Sequence, residues 1–418
     1  MTERLASFAR GGGAVDYEQR LDMAALREQR LAAARRALAE SDLDALLLWK
    51  DENVRYVSGL RAQLIQGKTA LLNGCLLTPD DLVLFVSGGE VDRVRAVMPW
   101  VEEVHAVPIM EARGLIAGAV ESVVAPALDR RGLGRARLGL DELAYAQVLE
   151  LGRALPGLTL EDGDAVMQSA RRVKSELELA VMQEASAIAE ATTEAAIAAV
   201  APGVRENDVV AAAMSALYRL GGEMAHLATP FVASGEHMAP PNRFASDKII
   251  REGDLVFIDI GAMWNGYFAD MGRTVICGEP NDDQRRVFGA VHAALMAATA
   301  AMRPGNTNDD VAAAVRAAGA EHGLDDSFLS LFIGHGVGIG ANEPPYVGEV
   351  LPGAETVPLE EGMTMAIEPL IWIPGVRGGA GVRLEDTIVV APQGGVALTR
   401  TSFDRRLSGS SASTAAAS

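Results

Sequence analysis

Cysteine is scarce: Cys75 and Cys277 are the only two in 418 residues. They stand in segments that read as different domains, so no disulfide framework is in view. No run of 18 or more apolar residues occurs, which excludes a membrane-spanning helix of the usual kind. The opening MTERLASFARGGG has no apolar stretch of the secretory type. A soluble cytoplasmic protein is therefore expected. Positive charge is short as well, with 37 Lys and Arg against 56 Asp and Glu and a net charge of −19. That balance argues against nucleic acid and anionic membrane surfaces as partners. The basic residues are nearly all Arg, and Ala and Gly are abundant; this reads as genome composition, not function.

The length is ample for a large core and suggests two to three domains. Residues 1–15 and 409–418 are small and polar and are expected to be disordered. Residues 16–163 read as an α/β domain. A helical pattern runs from Tyr17 to Ala39 and ends near Ser41-Asp42. It is followed by the apolar strand ALLLW (Ala45 to Trp49), then NVRYVSG, GCLLTPDDLVLFVSG and a helical stretch after Glu90. No acid-base or metal cluster appears in this half. The boundary is placed at 163/164, and residues 164–408 form the second domain. That domain opens on a long helix pattern from about Ala165 to Pro202-Gly203 with few breakers.

The chemistry concentrates in Val256 to Thr274, VFIDIGAMWNGYFADMGRT. LVFIDI reads as a buried strand, Gly261 and Gly266 bracket a turn, and Tyr267 to Ile276 reads as a second strand. In such a hairpin Asp259 and Asp270 face each other across the pair. Opposed buried carboxylates repel unless a cation lies between them. Taken alone, the hairpin leaves a second reading open, in which Asp270 caps a turn and Asp259 pairs with Arg273. Further along come His335 in Gly334-His335-Gly336, Glu368 in MAIEP and Glu385 in GVRLEDT, each in or at the end of an apolar run. Separate explanations exist for each, such as a core histidine or a partner for Arg383. Together, four carboxylates and one imidazole can hold two divalent ions, and such oxygen-rich sets suit Mn, Co, Fe or Zn.

The order Asp, Asp, His, Glu, Glu resembles the pita-bread metallohydrolases: methionine aminopeptidase, Xaa-Pro aminopeptidase, prolidase and the metal-free relative creatinase. The matching pieces are Asp259-x10-Asp270 followed by GRT, GHGVGIG around His335, EP at Glu368, RLEDT around Glu385 and RxVKSExE at the start of the second domain. LDALLLWKDENVRYVSGL is similar to the creatinase/prolidase N-terminal domain, which separates this chain from single-domain methionine aminopeptidases. The resemblance implies an α/β N-terminal domain plus an α+β pseudo-symmetric pita-bread catalytic domain. It also implies metal ligands Asp259, Asp270, His335, Glu368 and Glu385, and a homodimer in which the N-terminal domain closes the neighbouring active site.

An internal repeat needs no relatives. PGVRENDVVAAA (Pro202 to Ala213) and PGNTNDDVAAAV (Pro304 to Val315) share Pro-Gly, then Asp-Val, then an Ala run, and each reads as a new helix start. They precede VASG and GHGVGIG respectively, consistent with a duplicated half and a metal cluster between the halves.

The sequence also departs from the peptidases it resembles. Where those keep a Pro-His pair after ASG, ASGEHMAPPN has Asn242; where GHG leads to His-Glu-x-Pro, GHGVGIGANEPP has Asn342. Asn does not titrate near pH 7, and losing a positioned acid or base costs about 100- to 10,000-fold. His226 and His237 lie near the first lost position and are candidate substrate-binding replacements, although the plainer reading makes both ordinary surface or turn histidines. The expected activity is metal-dependent hydrolysis of a C–N bond in a small-molecule or dipeptide substrate. Two ions activate water, Glu368 handles its proton and Asn342 donates to the oxyanion. The alternatives are a genuine Xaa-Pro peptidase and a metal-dependent lyase acting on a compatible-solute-like molecule. Lyases of this fold carry an extra Asp two residues after the first, where this chain has Gly261.

Overall fold

The computed structural model describes residues 15–16, 20–61, 73–108, 113–143, 145–242, 244–324, 332–348 and 355–408. The expectations for residues 1–14 and 409–418 lie outside that range. Two compact units divide between Arg171 and Arg172.

The first unit is built on a six-stranded sheet in the order β4-β3-β2-β1-β5-β6. Its strands are β1 (Ala45–Leu48), β2 (Asn73–Leu77), β3 (Leu82–Ser87), β4 (Glu103–Val107), β5 (Arg137–Leu140) and β6 (Thr159–Asp162). The ALLL of β1 is buried along its whole length because β2 and β5 flank it. The GCLLTPDDLVLFVSG stretch is the β2–β3 hairpin, turned where Thr78 Oγ1 accepts from Asp81 N–H at 2.8 Å. NVRYVSG lies in helix Asp51–Ser58, which Gly59 ends in the left-handed conformation at φ 78°. Val15 bridges Leu60 through its backbone. Asp16 is buried in an ion pair with Arg30 and Arg55.

The helix expected from about Ala165 to Pro202 is two helices, Asp164–Arg172 and Glu176–Ala199. Ser175 breaks them with a capping box: its hydroxyl accepts from Glu178 N–H, and Glu178 accepts from Ser175 N–H. The Ser-x-x-Glu signal is present in the sequence. Helix Asp164–Arg172 packs with the first unit through Asp164, which accepts from Asn53 Nδ2 at 3.0 Å, and Ala170, whose carbonyl accepts from Tyr56 OH at 3.1 Å. The division therefore falls later than 163/164.

The second unit repeats one motif twice. Helices Glu206–Arg219 and Asn308–Glu321 are each 14 residues long and start 102 residues apart (308 − 206). Each follows a Pro-Gly whose glycine has positive φ, 91° at Gly203 and 93° at Gly305. Each has an N3 aspartate, Asp208 or Asp310, accepting from the N-cap N–H. In the first copy this helix and Glu176–Ala199 cover a three-stranded sheet, β11-β8-β7, made of β7 (Phe231–Ser234), β8 (Leu255–Asp259) and β11 (Gly272–Ile276). In the second, Asn308–Glu321 and Asp282–Ala301 cover a five-stranded sheet, β13-β12-β14-β17-β18. Its strands are β12 (Gly334–Gly336), β13 (Glu343–Val347), β14 (Thr364–Ile367), β17 (Asp386–Val389) and β18 (Val396–Ala397). Two small hairpins complete the unit: β9 (Ala262–Trp264) with β10 (Tyr267–Ala269), and β15 (Leu370–Trp372) with β16 (Gly381–Arg383).

Each copy has its own buried core. Ala185, Ala189, Val209, Leu217, Val256 and Ile258 fill the first, and Val291, Leu295, Val315, Met365, Ile367 and Ile388 the second.

Candidate metal centre

The aspartate hairpin is built differently from the sequence expectation. Asn265 (φ 45°) and Gly266 (φ 84°) form its tip, the Asn-Gly pair that favours a two-residue turn. Gly261 sits outside the turn, between β8 and β9. The second run is interrupted at Asp270-Met271, and Asp259 lies opposite Gly272, not Asp270. Asp270 is thus offset diagonally by two residues, which brings both carboxylates to the end of β8 without stacking them face to face. Thr387 fixes Asp270 by a reciprocal pair of bonds: its Oγ1 accepts from Asp270 N–H at 2.9 Å and donates to Asp270 O at 2.8 Å.

The second copy supplies the other three side chains. His335 is the middle residue of β12, held between β13 and β14, and its Nδ1 lies 2.8 Å from the Gly336 carbonyl. A carbonyl only accepts, so Nδ1 carries the proton and Nε2 is left facing Glu368 Oε1 at 3.4 Å and Asp270 Oδ2 at 3.5 Å. Glu368 directly follows β14, and Glu385 joins β16 to β17. Gly272 and Glu385 exchange backbone hydrogen bonds at 3.3 and 3.0 Å, stitching the two copies together beside the cluster.

All five side chains converge. Ligand atoms of Asp259, Asp270 and Glu385 lie within 4.8 Å of one another, as do those of His335, Glu368 and Glu385, and those of His226, Asp270 and His335. None of the five residues is more than 4% exposed. Asp259 Oδ1, Asp270 Oδ1 and Glu385 Oε2 are buried with no hydrogen-bond partner among the described residues. Buried carboxylate oxygens are costly when unpaired, and several aimed at one space fit divalent cations.

The electrostatics without an ion are correspondingly strained. Burial, followed by the charge of Asp270, pushes the Asp259 carboxyl up to about 7. Burial and the neighbouring carboxylates push Glu385 well above its usual range. Burial opposes ionisation of Asp270 too, yet His226 and His335 outweigh it and hold that carboxyl low. Among the described residues Arg383 is the guanidinium paired with the cluster, with Nη1 3.3 Å from Asp259 Oδ2 and 2.9 Å from Glu368 Oε2. It cannot neutralise four carboxylates.

Several placements correct the sequence reading. Arg273 does not serve Asp259; it pairs with Asp386 at 2.7 Å and donates to the Thr401 carbonyl. Arg383, which the sequence offered as a partner for a strand-end acidic residue, pairs with Glu368 and also reaches Asp259. His226 is no surface or turn histidine: it is 8% exposed, with Nδ1 2.9 Å from Asp270 Oδ2 and Nε2 3.3 Å from the Ala341 carbonyl. His237 is in none of the three convergent groups; its Nδ1 lies 3.4 Å from Glu206. Asn242 is half-buried and spends its amide on the Phe244 carbonyl at 2.9 Å. Asn342 is exposed and directly follows Ala341, the residue that His226 touches.

The loop carrying Asn342 is fixed by residues the sequence did not single out. Glu343 accepts from Gly340 N–H at 2.7 Å and pairs with the buried Lys174 at 3.2 Å. Lys174 lies in the RxVKSExE motif, but nothing in its spacing announces a partner so far along the chain.

The chain belongs to the metallopeptidase family M24, whose profile matches residues 180–392. The creatinase/prolidase N-terminal domain profile matches residues 30–173. The chain is 32% identical to an Xaa-Pro dipeptidase of Pyrococcus horikoshii over 87% of this chain and 94% of that one. It is also 32% identical to a probable dipeptidase, PepE, of Mycobacterium tuberculosis, over 88% and 93%. Among solved structures, the prolidase from Pyrococcus horikoshii superimposes with a TM-score of 0.74 at 29% identity, covering 90% of this chain and 99% of that one. The dipeptidase PepE from Mycobacterium ulcerans gives 0.75 at 29% identity, over 92% and 98%. The architecture is the pita-bread fold behind a creatinase-type N-terminal domain. No helix among the described residues is long and apolar enough to cross a membrane.

Proposed function

We propose that this protein is a dinuclear metal-dependent hydrolase of a C–N bond in a small substrate, derived from Xaa-Pro peptidases but altered where they contact the peptide. The observation that carries the reading is the convergence of Asp259, Asp270, His335, Glu368 and Glu385 with unpaired buried oxygens. Asp270 and Glu385 each belong both to the Asp259 group and to a His335 group, so both would be among the residues holding the ions. Divalent ions held there, Mn, Co, Zn or Fe, supply Lewis acidity towards a carbonyl and acidify water.

The chain's own residues do the rest. Glu368 takes up a proton from water and returns it to the leaving nitrogen, oriented by Arg383 against its Oε2. Asn342 donates a neutral hydrogen bond to the developing oxyanion, and Asn242 lies on the substrate side without proton exchange. We assign the protein to the cytoplasm, as a homodimer whose N-terminal unit meets the partner; this rests on the fold.

A genuine Xaa-Pro dipeptidase is the second reading, favoured by the likeness to the Xaa-Pro dipeptidase of Pyrococcus horikoshii. The lyase reading is disfavoured at Gly261. A Cβ there would fall 2.5 Å from the Ala269 carbonyl and 2.6 Å from His226 Cβ, leaving no room for an aspartate. The test is a screen of Xaa-Pro dipeptides beside small amides and betaines, with Mn or Co added and products identified. Turnover of small amides above that of Xaa-Pro dipeptides supports the first reading, and the reverse order supports the second.

A further inference from the structure

We infer that His226 is a sixth protein ligand of the metal centre, joining through Nδ1 the ion that Asp270 and His335 hold. The inference rests on the dinuclear reading above and adds a second imidazole to it.

Hydrogen-bond bookkeeping points there. The Ala341 carbonyl, 3.3 Å from Nε2, can only accept, so Nε2 carries the ring proton. In the neutral ring Nδ1 is then a bare lone pair. It lies 2.9 Å from Asp270 Oδ2, but without the alignment of a hydrogen bond, and it has no partner among the described residues. Two lone pairs held that close in a buried site need either a second ring proton or a metal ion between them, and His226, Asp270 and His335 together offer three ligand atoms within 4.8 Å of one another. The side chain is 4% exposed, so water does not relieve the contact.

His335 repeats the arrangement with its nitrogens exchanged. Its Nδ1 is spent on the Gly336 carbonyl at 2.8 Å, and Nε2 lies 3.5 Å from the same Asp270 Oδ2. The two rings are parallel within 8° with centroids 5.9 Å apart. Each thus turns its unprotonated nitrogen to one carboxylate oxygen. Gly261 makes this possible, because any side chain there would meet His226 Cβ at 2.6 Å. A second imidazole on one ion shifts that site from hard, oxygen-preferring Mn towards Zn, Co or Fe.

The test is an imidazole count on the loaded protein, which does not depend on activity. In the cobalt-loaded enzyme each bound imidazole gives a hyperfine-shifted, exchangeable ring N–H in the proton NMR spectrum. Wild type is expected to show two, one from His226 Nε2–H and one from His335 Nδ1–H, and His226→Gln to show one. Zinc affinity of His226→Gln, measured by chelator competition, should fall by about 10- to 100-fold or more, with a smaller loss for manganese. X-ray absorption on zinc-loaded wild type needs no variant and should fit two imidazoles for two ions. A single imidazole in loaded wild type, or both signals kept in His226→Gln, overturns the inference. That failure leaves the dinuclear reading intact provided Asp259→Ala and His335→Ala lose metal. If wild type binds no metal at all, both fall together.

Discussion

Arg383 Nη1 lies 2.9 Å from Oε2 of Glu368, in a pocket where both side chains are nearly sealed from water. The guanidinium is a permanent cation at the cluster and also reaches Asp259 at 3.3 Å. Removing it leaves buried carboxylates without their partner. Arg383→Met should therefore destabilise the metal-free protein by about 3–5 kcal/mol. Divalent ions take over the compensation, so urea denaturation with added metal should show a markedly smaller loss than denaturation with a chelator. Equal losses in both would place Arg383 outside the cluster's charge balance.

Metal content tests the ligand set directly. Purified wild type should hold up to two divalent ions per chain by elemental analysis, because one ion leaves clustered carboxylates uncompensated. Asp259→Ala and His335→Ala should each hold less. Wild-type content in both variants would remove these residues from the ligand set.

Glu343 and Lys174 form a buried pair at 3.2 Å that holds the loop before β13. Glu343→Gln keeps an acceptor for Gly340 N–H but leaves Lys174 buried and unpaired. A loss of about 3–5 kcal/mol is expected, read by thermal or urea unfolding. If Asn342 serves the substrate, kcat should fall as well under conditions where the variant is folded. Unchanged stability would show that solvent reaches Lys174.

Light scattering at micromolar concentration should give a dimer mass. The N-terminal unit presents no metal cluster among its described residues, and its expected role is contact with a partner chain. A monomer mass would remove that role.

Much of this was legible in the sequence for identifiable reasons. The repeat was visible because helix starts need stop and cap residues, and Pro202-Gly203 and Pro304-Gly305 supply the same stop 102 residues apart (304 − 202). The five candidate ligands stood out because carboxylates and an imidazole in apolar strands need a reason to be there. The helix break at Ser175 was also encoded, as a capping box inside an otherwise continuous helical pattern. Register was not: Asp259 lies opposite Gly272 because the Asn265-Gly266 turn, not Gly261, sets the hairpin. Nor was the position of His226. It depends on Asp270, Ala341 and the bare Gly261 coming together from separate stretches, and no local period reports such a contact.

The most direct measurement of the central claim is kcat/KM for Xaa-Pro dipeptides, in wild type and in the Asn242→His, Asn342→His double variant. The account predicts wild-type values below about 10,000 per molar per second, the foot of the ordinary enzyme range, and a rise when both histidines are restored, since each positioned acid or base is worth about 100-fold or more. Wild-type values at or above that range, unchanged by the histidines, would contradict it and make the protein an Xaa-Pro peptidase that works without them.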